Sequence, residues 1–306
     1  MSAPHLPDAL HVFERGWLSA NSILFTKGAQ SLLVDSGYCS HSAQTLALVE
    51  GVLGDKPLDF LVNTHLHSDH CGGNAALQFN YPDVQTLIPP GQSAHVADWD
   101  PVALTYQPTG QLCPQFSFSR TLEPGAEIQF GDSNWQIHAA PGHDPNSLIF
   151  FEPSHRLLIS ADALWENGFG VVFPELEGEK AFDEVAATLD LIEQLNPATI
   201  IPGHGPVFIY GPGIVEVARQ RLDAFVANPL KHSQHASKVL IKFKLLETQQ
   251  QPFEEFLSWA VNTPYLLQIR HRFFSGIPMA IWIEQLCDDL CKAGVAARDE
   301  THIFNN

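Results

Sequence analysis

Residues 63–74 read NTHLHSDHCGGN, and positions 65 to 70 within them hold His65, His67, Asp69 and His70. The preceding LDFLV (58–62) is a short apolar run of the kind that forms a buried strand, so the cluster begins where a strand ends. Backbone leaving a strand is held rigidly, and residues two apart at a bend there can both turn into one cavity, as His65 and His67 are placed to do. Asp69 and His70 fall on the next turn and, being adjacent, point differently. One ion cannot easily take all four side chains, whereas two ions a few ångström apart use them all.

Working outward, NSILF (21–25) and SLLVDSG (31–37) read as a strand pair closing on a polar turn, and SHSAQTLALVEGVL (40–53) as a helix packed on a sheet. The same order returns later. NSILFTKGAQSLLVDSG (21–37) aligns without a gap to NSLIFFEPSHRLLISAD (146–162), keeping an Asn-Ser pair, a Phe and a Leu-Leu pair and exchanging Ile, Leu and Val elsewhere. TLALVE (45–50) recurs as TLDLIE (188–193), followed again by a strand, ATII (198–201), and again by a histidine, His204. A repeated strand, strand, helix, strand unit implies two similar halves packed face to face. Between them VQTLIPP, FSFSRTLEPGAEIQF and NWQIHAAPGH read as short strands broken by Pro and Gly turns. From Pro229 the patterns are helical, in HASKVLIKFKLLET, FEEFLSWAV and AIWIEQLCDDLCKAG. The expected division is therefore 1–228 and a helical subdomain over 229–306.

The repeat also says where further donors should stand. HAAPGHDPNS supplies His143 after a Pro-Gly turn, LLISADAL supplies Asp162 at a strand end, and IIPGHGP supplies His204 at another. With the first cluster, these candidates fall on strand-end loops of one rim.

The H-x-H-x-D-H stretch, the later PGH, the strand-end Asp and the final PGHG together resemble the metallo-β-lactamase fold superfamily over roughly residues 12–225, and within it the dinuclear hydrolases such as glyoxalase-II-like thioesterases and lactonases. The resemblance implies an α/β fold, a four-layer αββα sandwich with the site along one edge of its two sheets. It assigns His65, His67 and His143 to a first divalent metal and Asp69, His70 and His204 to a second, with Asp162 bridging both. Zinc is the first choice of metal, with iron or manganese also compatible with His and Asp ligands. The implied chemistry is attack by a metal-bridging hydroxide on an acyl carbonyl, with Asp69 and Asp162 in catalytic as well as ligand positions. A cysteine ligand marks one class of antibiotic-hydrolysing relatives; here that position is Asp162. The helices followed by VAARDETHIF resemble the winged-helix tail of some members, read here as a packing or dimerisation element, so a homodimer is compatible with it.

After Asp162, LWENGFGVVFPELEG (164–178) places Trp165, Phe169 and Phe173 between glycines, as a hydrophobic lid would, and Tyr210 follows the His204 turn closely enough to reach a substrate. Together they favour a small, fairly apolar ester, thioester or lactone. The alternatives are a phosphodiesterase or nuclease of the same fold and an iron-containing oxidoreductase. The 306-residue chain holds 34 acidic against 16 basic residues, a net charge of -18, which repels phosphate backbones and makes nucleic acid a disfavoured partner. Its one basic run, Lys231, Lys238, Lys242 and Lys244, reads as a solvated helix face. An odd cysteine count without repeated spacing argues against a disulfide framework. The opening MSAPHLPDALHVFERG lacks a basic start with an apolar core, and no apolar run reaches the ~18 residues of a membrane span, so a cytoplasmic protein with no membrane partner is expected.

Overall fold

Ile23 and Phe25 leave one face of their strand and Leu24 leaves the other, yet all three are buried. A strand with two covered faces needs a second sheet on one side and helices on the other. The computed structural model, which describes residues 6–306 apart from the side chain of Pro212, supplies both. Ile23, Phe25 and Val34 share one core with Trp135, Phe150 and Ile159 of a second sheet. Leu24, Leu33 and Leu61 pack outward with Val49, Leu53 and Leu77 of the helices Ser42–Leu53 and Asn74–Asn80. The result is the expected αββα sandwich.

The first sheet runs in the order β1 (Leu10–Phe13), β2 (Ser22–Phe25), β3 (Leu32–Val34), β4 (Phe60–Val62), β5 (Gln85–Ile88), β6 (Arg120–Thr121). The second contains β7 (Glu127–Phe130), β8 (Ser133–Ala139), β9 (Leu148–Glu152), β10 (Leu157–Ala161), β11 (Thr199–Pro202) and β12 (Phe208–Ile209), ordered β12-β11-β10-β9-β8-β7. The sequence repeat is visible in the pairing. β2 and β3 are antiparallel and β3 and β4 parallel; β9 and β10 are antiparallel and β10 and β11 parallel. Val34 pairs with Val62 and Ile159 with Ile201, and His65 and His204 stand at the same distance along the chain from those paired residues, Val62 and Ile201.

Two devices bring these strand ends together. The chain leaves β3 and β10 through left-handed residues, Asp35 (φ 56) and Ala161 (φ 46), a conformation that a residue with a Cβ adopts only when its surroundings enforce it. The second device is reciprocal. The amide of Asn21, before β2, donates to Gly203 O at 2.7 Å, and the amide of Leu148, opening β9, donates to Thr64 O at 2.9 Å. Gly203 precedes His204 and Thr64 precedes His65, so each half holds the histidine-bearing loop of the other. The Asn21 side chain reinforces this by donating to Pro202 O (2.9 Å) and Gly205 O (2.8 Å).

The chain forms two compact units, one comprising the chain to Leu104 with Leu112–Asp223, the other Thr105–Gln111 with Ala224–Asn306. The second unit contains the helices Pro229–Thr248, Phe253–Asn262, Pro264–Phe273 and Met279–Lys292. It also holds a three-stranded sheet, β13 (Gln250–Pro252), β14 (Ala296–Arg298) and β15 (His302–Asn305), in the order β13-β15-β14. The helical reading of this region missed that sheet, because strands of three or four residues are too short to show a period of two. No helix among the described residues is long and apolar enough to cross a membrane, and all five cysteines are thiols.

Phe150 is fully buried between the two sheets and packs on Phe130 at 5.3 Å. Phe150→Ala is expected to cost about 3–5 kcal/mol through lost burial and the cavity left behind, read as a lower midpoint in chemical denaturation.

Candidate metal centre

His65 leaves β4, and a bend carries His67 to the start of the short helix Ser68–Cys71, which bears Asp69 and His70. His143 follows the Pro141-Gly142 turn after β8, Asp162 follows β10 and His204 follows β11. The structure gathers all seven into two adjoining groups. The donor atoms of His65, His67 and His143 lie within 4.8 Å of one another, as do those of Asp69, His70, Asp162 and His204.

In the first group, His67 Nδ1 lies 3.1 Å from His65 Nε2 and 2.8 Å from His143 Nε2. The outer ring nitrogens say which atom carries hydrogen. His143 Nδ1 faces Val171 O at 2.5 Å, a pure acceptor, so it is the N–H and Nε2 presents a lone pair inward. His65 Nδ1 faces Thr64 Oγ1 at 3.2 Å, and that hydroxyl donates onward to Asp35 Oδ2 at 2.7 Å. His67 turns Nε2 toward Asp144, 3.7 Å away. Three lone pairs so close repel one another unless a cation stands among them, and three neutral imidazoles are a zinc-type donor set.

In the second group, His204 Nε2 is 3.1 Å from Asp69 Oδ2, and His70 Nε2 is 3.5 Å from Asp162 Oδ1. His70 Nε2 is buried with no hydrogen-bond partner, while its Nδ1 is fixed on Asp35 Oδ2 at 2.7 Å. A buried ring nitrogen aimed at carboxylates and left unsatisfied fits a cation site. Asp162 faces both groups: Oδ2 is 3.4 Å from His143 Nε2 and 3.9 Å from His204 Nε2. Side chains packed this tightly leave no room for ordinary backbone. A Cβ at Gly170 would overlap the His143 ring, and one at Gly203 would overlap the Asp162 carboxylate.

Burial pushes the His67 and His143 imidazoles down to about 4 and holds His65 well below its usual range, with the neighbouring histidines adding to the effect at His65 and His143. Burial acts the same way on His70, but the carboxylates of Asp35, Asp162 and Asp69 outweigh it and raise that imidazole well above the ordinary value. Burial alone would raise Asp162, yet His204, His70 and His143 hold its carboxyl far below the usual carboxylate range, and Asp69 is lowered by His70 and His204 in the same way. The first group therefore presents neutral donors and the second presents anions.

Aromatic rings stand on both sides. Phe173 lies 5.4 Å from the His67 ring and 5.8 Å from His143; Trp165 lies 5.6 Å from His204 and donates its Nε1–H to Asp162 Oδ1 at 3.2 Å. Two sequence expectations are corrected. Phe169 is buried with the Arg221 guanidinium 5.4 Å over its ring, so it packs beneath the loop rather than facing a substrate. Much of the 164–178 segment is likewise core, and Phe173–Glu177 is a short helix. Tyr210 follows β12, which runs antiparallel to β11, and its amide reaches Ala198 O at the end of β11 away from His204. Sequence reasoning also missed Trp17, whose ring stacks on His204 at 5.4 Å, and Asp35, which braces His70 and Thr64. Asp35 was findable, as an acid at the end of β3 where the repeat unit places Asp162 near the end of β10. A lone tryptophan ahead of β2 carries no such signal.

The model of the Metallo-beta-lactamase superfamily matches residues 15–204. The chain belongs to this superfamily. Among superfamily proteins it is 22% identical over 254 residues to Beta-lactamase-like protein 2 homolog of Caenorhabditis elegans, covering 82% of this chain and 76% of that one. It is 25% identical to Acyl-coenzyme A thioesterase MBLAC2 of Gallus gallus, covering 64% and 76%. It is 26% identical to a Hydroxyacylglutathione hydrolase of Brucella anthropi, covering 55% of this chain and about half, 54%, of that relative. A metallo-beta-lactamase family protein of Thermus thermophilus shares the fold over 99% of this chain and 100% of its own, with a TM-score of 0.56 at 16% identity. TTHA1623 in a di-iron-bound form matches 65% of this chain and 94% of its own, with a TM-score of 0.52 at 26% identity.

Asp35→Asn keeps shape but removes the charge that orients His70. Metal affinity is expected to fall about 10–100-fold, measured by competition with a chromophoric chelator. The pH dependence of the metal-free protein follows from the lowered imidazoles. His67 and His143 stay neutral in the folded chain down to about 4, whereas an unfolded chain takes up protons from ~6.5, so folding stability falls as pH drops between those values. His70, raised when folded, is protonated in both states below ~6.5 and does not alter the slope there. Thermal midpoints of chelator-treated protein should decline steadily from about pH 6.5 to 4; a flat profile contradicts this assignment.

Proposed function

We propose that the chain is a dinuclear metal-dependent hydrolase that cleaves an ester, thioester or lactone of a small, fairly apolar substrate. The observation that carries this reading is Asp162, whose carboxylate lies between a group of three neutral imidazoles and a group containing a second carboxylate. His65, His67 and His143 would hold one cation and Asp69, His70 and His204 the other, with Asp162 reaching both. When bound, the two cations supply polarisation of a carbonyl and lower the pKa of water from ~15.7 to around 7.

The chain's own residues do the rest. Val171 O and Asp35 lock the His143 and His70 rings, so their inward nitrogens are fixed before substrate arrives. Asp69, kept ionised by its histidine neighbours, can accept a proton from the attacking water. The Trp165 indole N–H orients Asp162. Phe173 places an apolar ring beside His67 and His143 and keeps water away from the first group on that side. The similarity to a hydroxyacylglutathione hydrolase and to an acyl-coenzyme A thioesterase supports acyl transfer to water as the reaction type. Zinc suits the three-histidine group, while the di-iron form of TTHA1623 supports iron as an alternative occupant.

Chelator treatment is expected to abolish turnover of p-nitrophenyl acetate and of a thioester and lactone panel, and zinc to restore it; bis-p-nitrophenyl phosphate should be turned over poorly. Asp162→Ala should lower activity at least about 10³-fold and reduce bound metal from two equivalents to one or fewer by elemental analysis. Full turnover by a metal-depleted Asp162→Ala protein would refute the proposal.

A further inference from the structure

Trp17 is 57% exposed, although an indole is among the largest apolar surfaces a chain can bury. It sits in the turn closed by Ser19 N on Gly16 O, directly against the second donor group. One face of its ring is stacked on His204, 5.4 Å between centroids and 13° from parallel. It also meets Trp165 in a T-shaped contact, 5.2 Å between centroids and 68° between planes. Trp165 is itself immobilised by its Nε1–H on Asp162 and by its backbone amide on Gly168 O at 2.6 Å. Two indoles at a steep angle, one of them braced, thus frame the His204 side of the centre. The His67 and His143 side is bordered by Phe173.

We propose that Trp17 and Trp165 form an aromatic subsite that takes the leaving group of the substrate, and that this leaving group carries a planar aromatic ring. The inference rests on the acyl-hydrolase reading and adds one placement to it, that the departing atom lies on the His204 side of the centre. Water adds to the acyl carbon, the bond from that carbon to the aryl oxygen or sulfur breaks, and one proton of the water ends on the departing atom, giving an acid and a phenol or thiophenol. The exposed Trp17 ring accepts a flat ring by offset stacking, and Trp165, beside the Trp17–His204 pair, borders the subsite. A saturated ring of equal size has neither a flat π face nor a polarised edge, so it gains apolar contact without the additional aromatic pairing.

Binding and turnover separate the inference from the reading beneath it. Calorimetric titration of the metal-loaded protein with 2-naphthol and with its saturated analogue decahydro-2-naphthol is expected to show tighter binding of 2-naphthol. Trp17→Ala should weaken 2-naphthol about 5–10-fold and remove the preference, and Trp17→Phe should restore most of it. In turnover, kcat/KM of Trp17→Ala for 2-naphthyl acetate should fall about tenfold relative to its kcat/KM for methyl 2-naphthoate, which carries the same ring on the acyl side. Metal content measured alongside should remain that of the wild type. No preference for the planar alcohol, a preference that survives Trp17→Ala, or equal losses for the two esters would overturn the subsite. Failure of the metal-loaded wild type to cleave either ester would instead overturn the hydrolase reading, and the binding arm would still decide the subsite.

Discussion

The carboxylate of Asp162, buried among the rings of His70, His143 and His204, is the constraint to which the rest of the first unit answers. An ionised group out of water is costly unless charges and hydrogen bonds surround it. Here the surroundings come from every part of the sandwich: His70 from the helix after β4, His143 from the turn after β8, His204 from the loop after β11, and the Trp165 N–H from the next loop. Gly203 and Gly170 are glycines because a side chain at either place would occupy the space of a donor. The left-handed turn at Ala161, which aims the carboxylate inward, is the local strain that this arrangement sustains.

Two halves of like topology meet at this point but do not contribute alike. Each offers a hairpin, a helix and a parallel strand, and in each a histidine follows that strand. The crossed amide contacts, Asn21 to Gly203 and Leu148 to Thr64, tie the strand entry of one half to the histidine loop of the other. The donors beyond those histidines differ. The first half adds His67, Asp69 and His70 within one bend, and the second adds His143 and Asp162 from separate loops. The pseudo-symmetric frame thus carries an asymmetric site, neutral on one side and anionic on the other. Cations held by the two groups would therefore face different surroundings.

Aromatic rings extend the same asymmetry outward. Phe173 borders the neutral group, and Trp165 with Trp17 borders the anionic one. The two sides of the centre therefore present different surfaces. Superfamily membership fixes the frame, while Trp17 and Trp165 stand on loops and Phe173 opens a short helix outside the two sheets.

Much of this was legible in the amino-acid order. The repeat is visible in 21–37 and 146–162 because both strands of each hairpin are buried on two faces, which favours Ile, Leu, Val and Phe at most of their positions. The candidate donors were legible because they follow strands closely in the chain, and strand ends are marked by apolar runs that stop. The short strands β13, β14 and β15 were not, since three or four residues carry too little periodicity to distinguish them from loop. Nor could the order of residues show that Tyr210 lies at the far end of β11, that Phe169 is covered by Arg221, or that Trp17 rests on His204. Sequence alone determined which side chains could meet a cation and on which repeated unit each is carried. Which rings and carboxylates stand within reach of one another was decided only by tertiary structure, because pairing register and loop path set distances that no local pattern encodes.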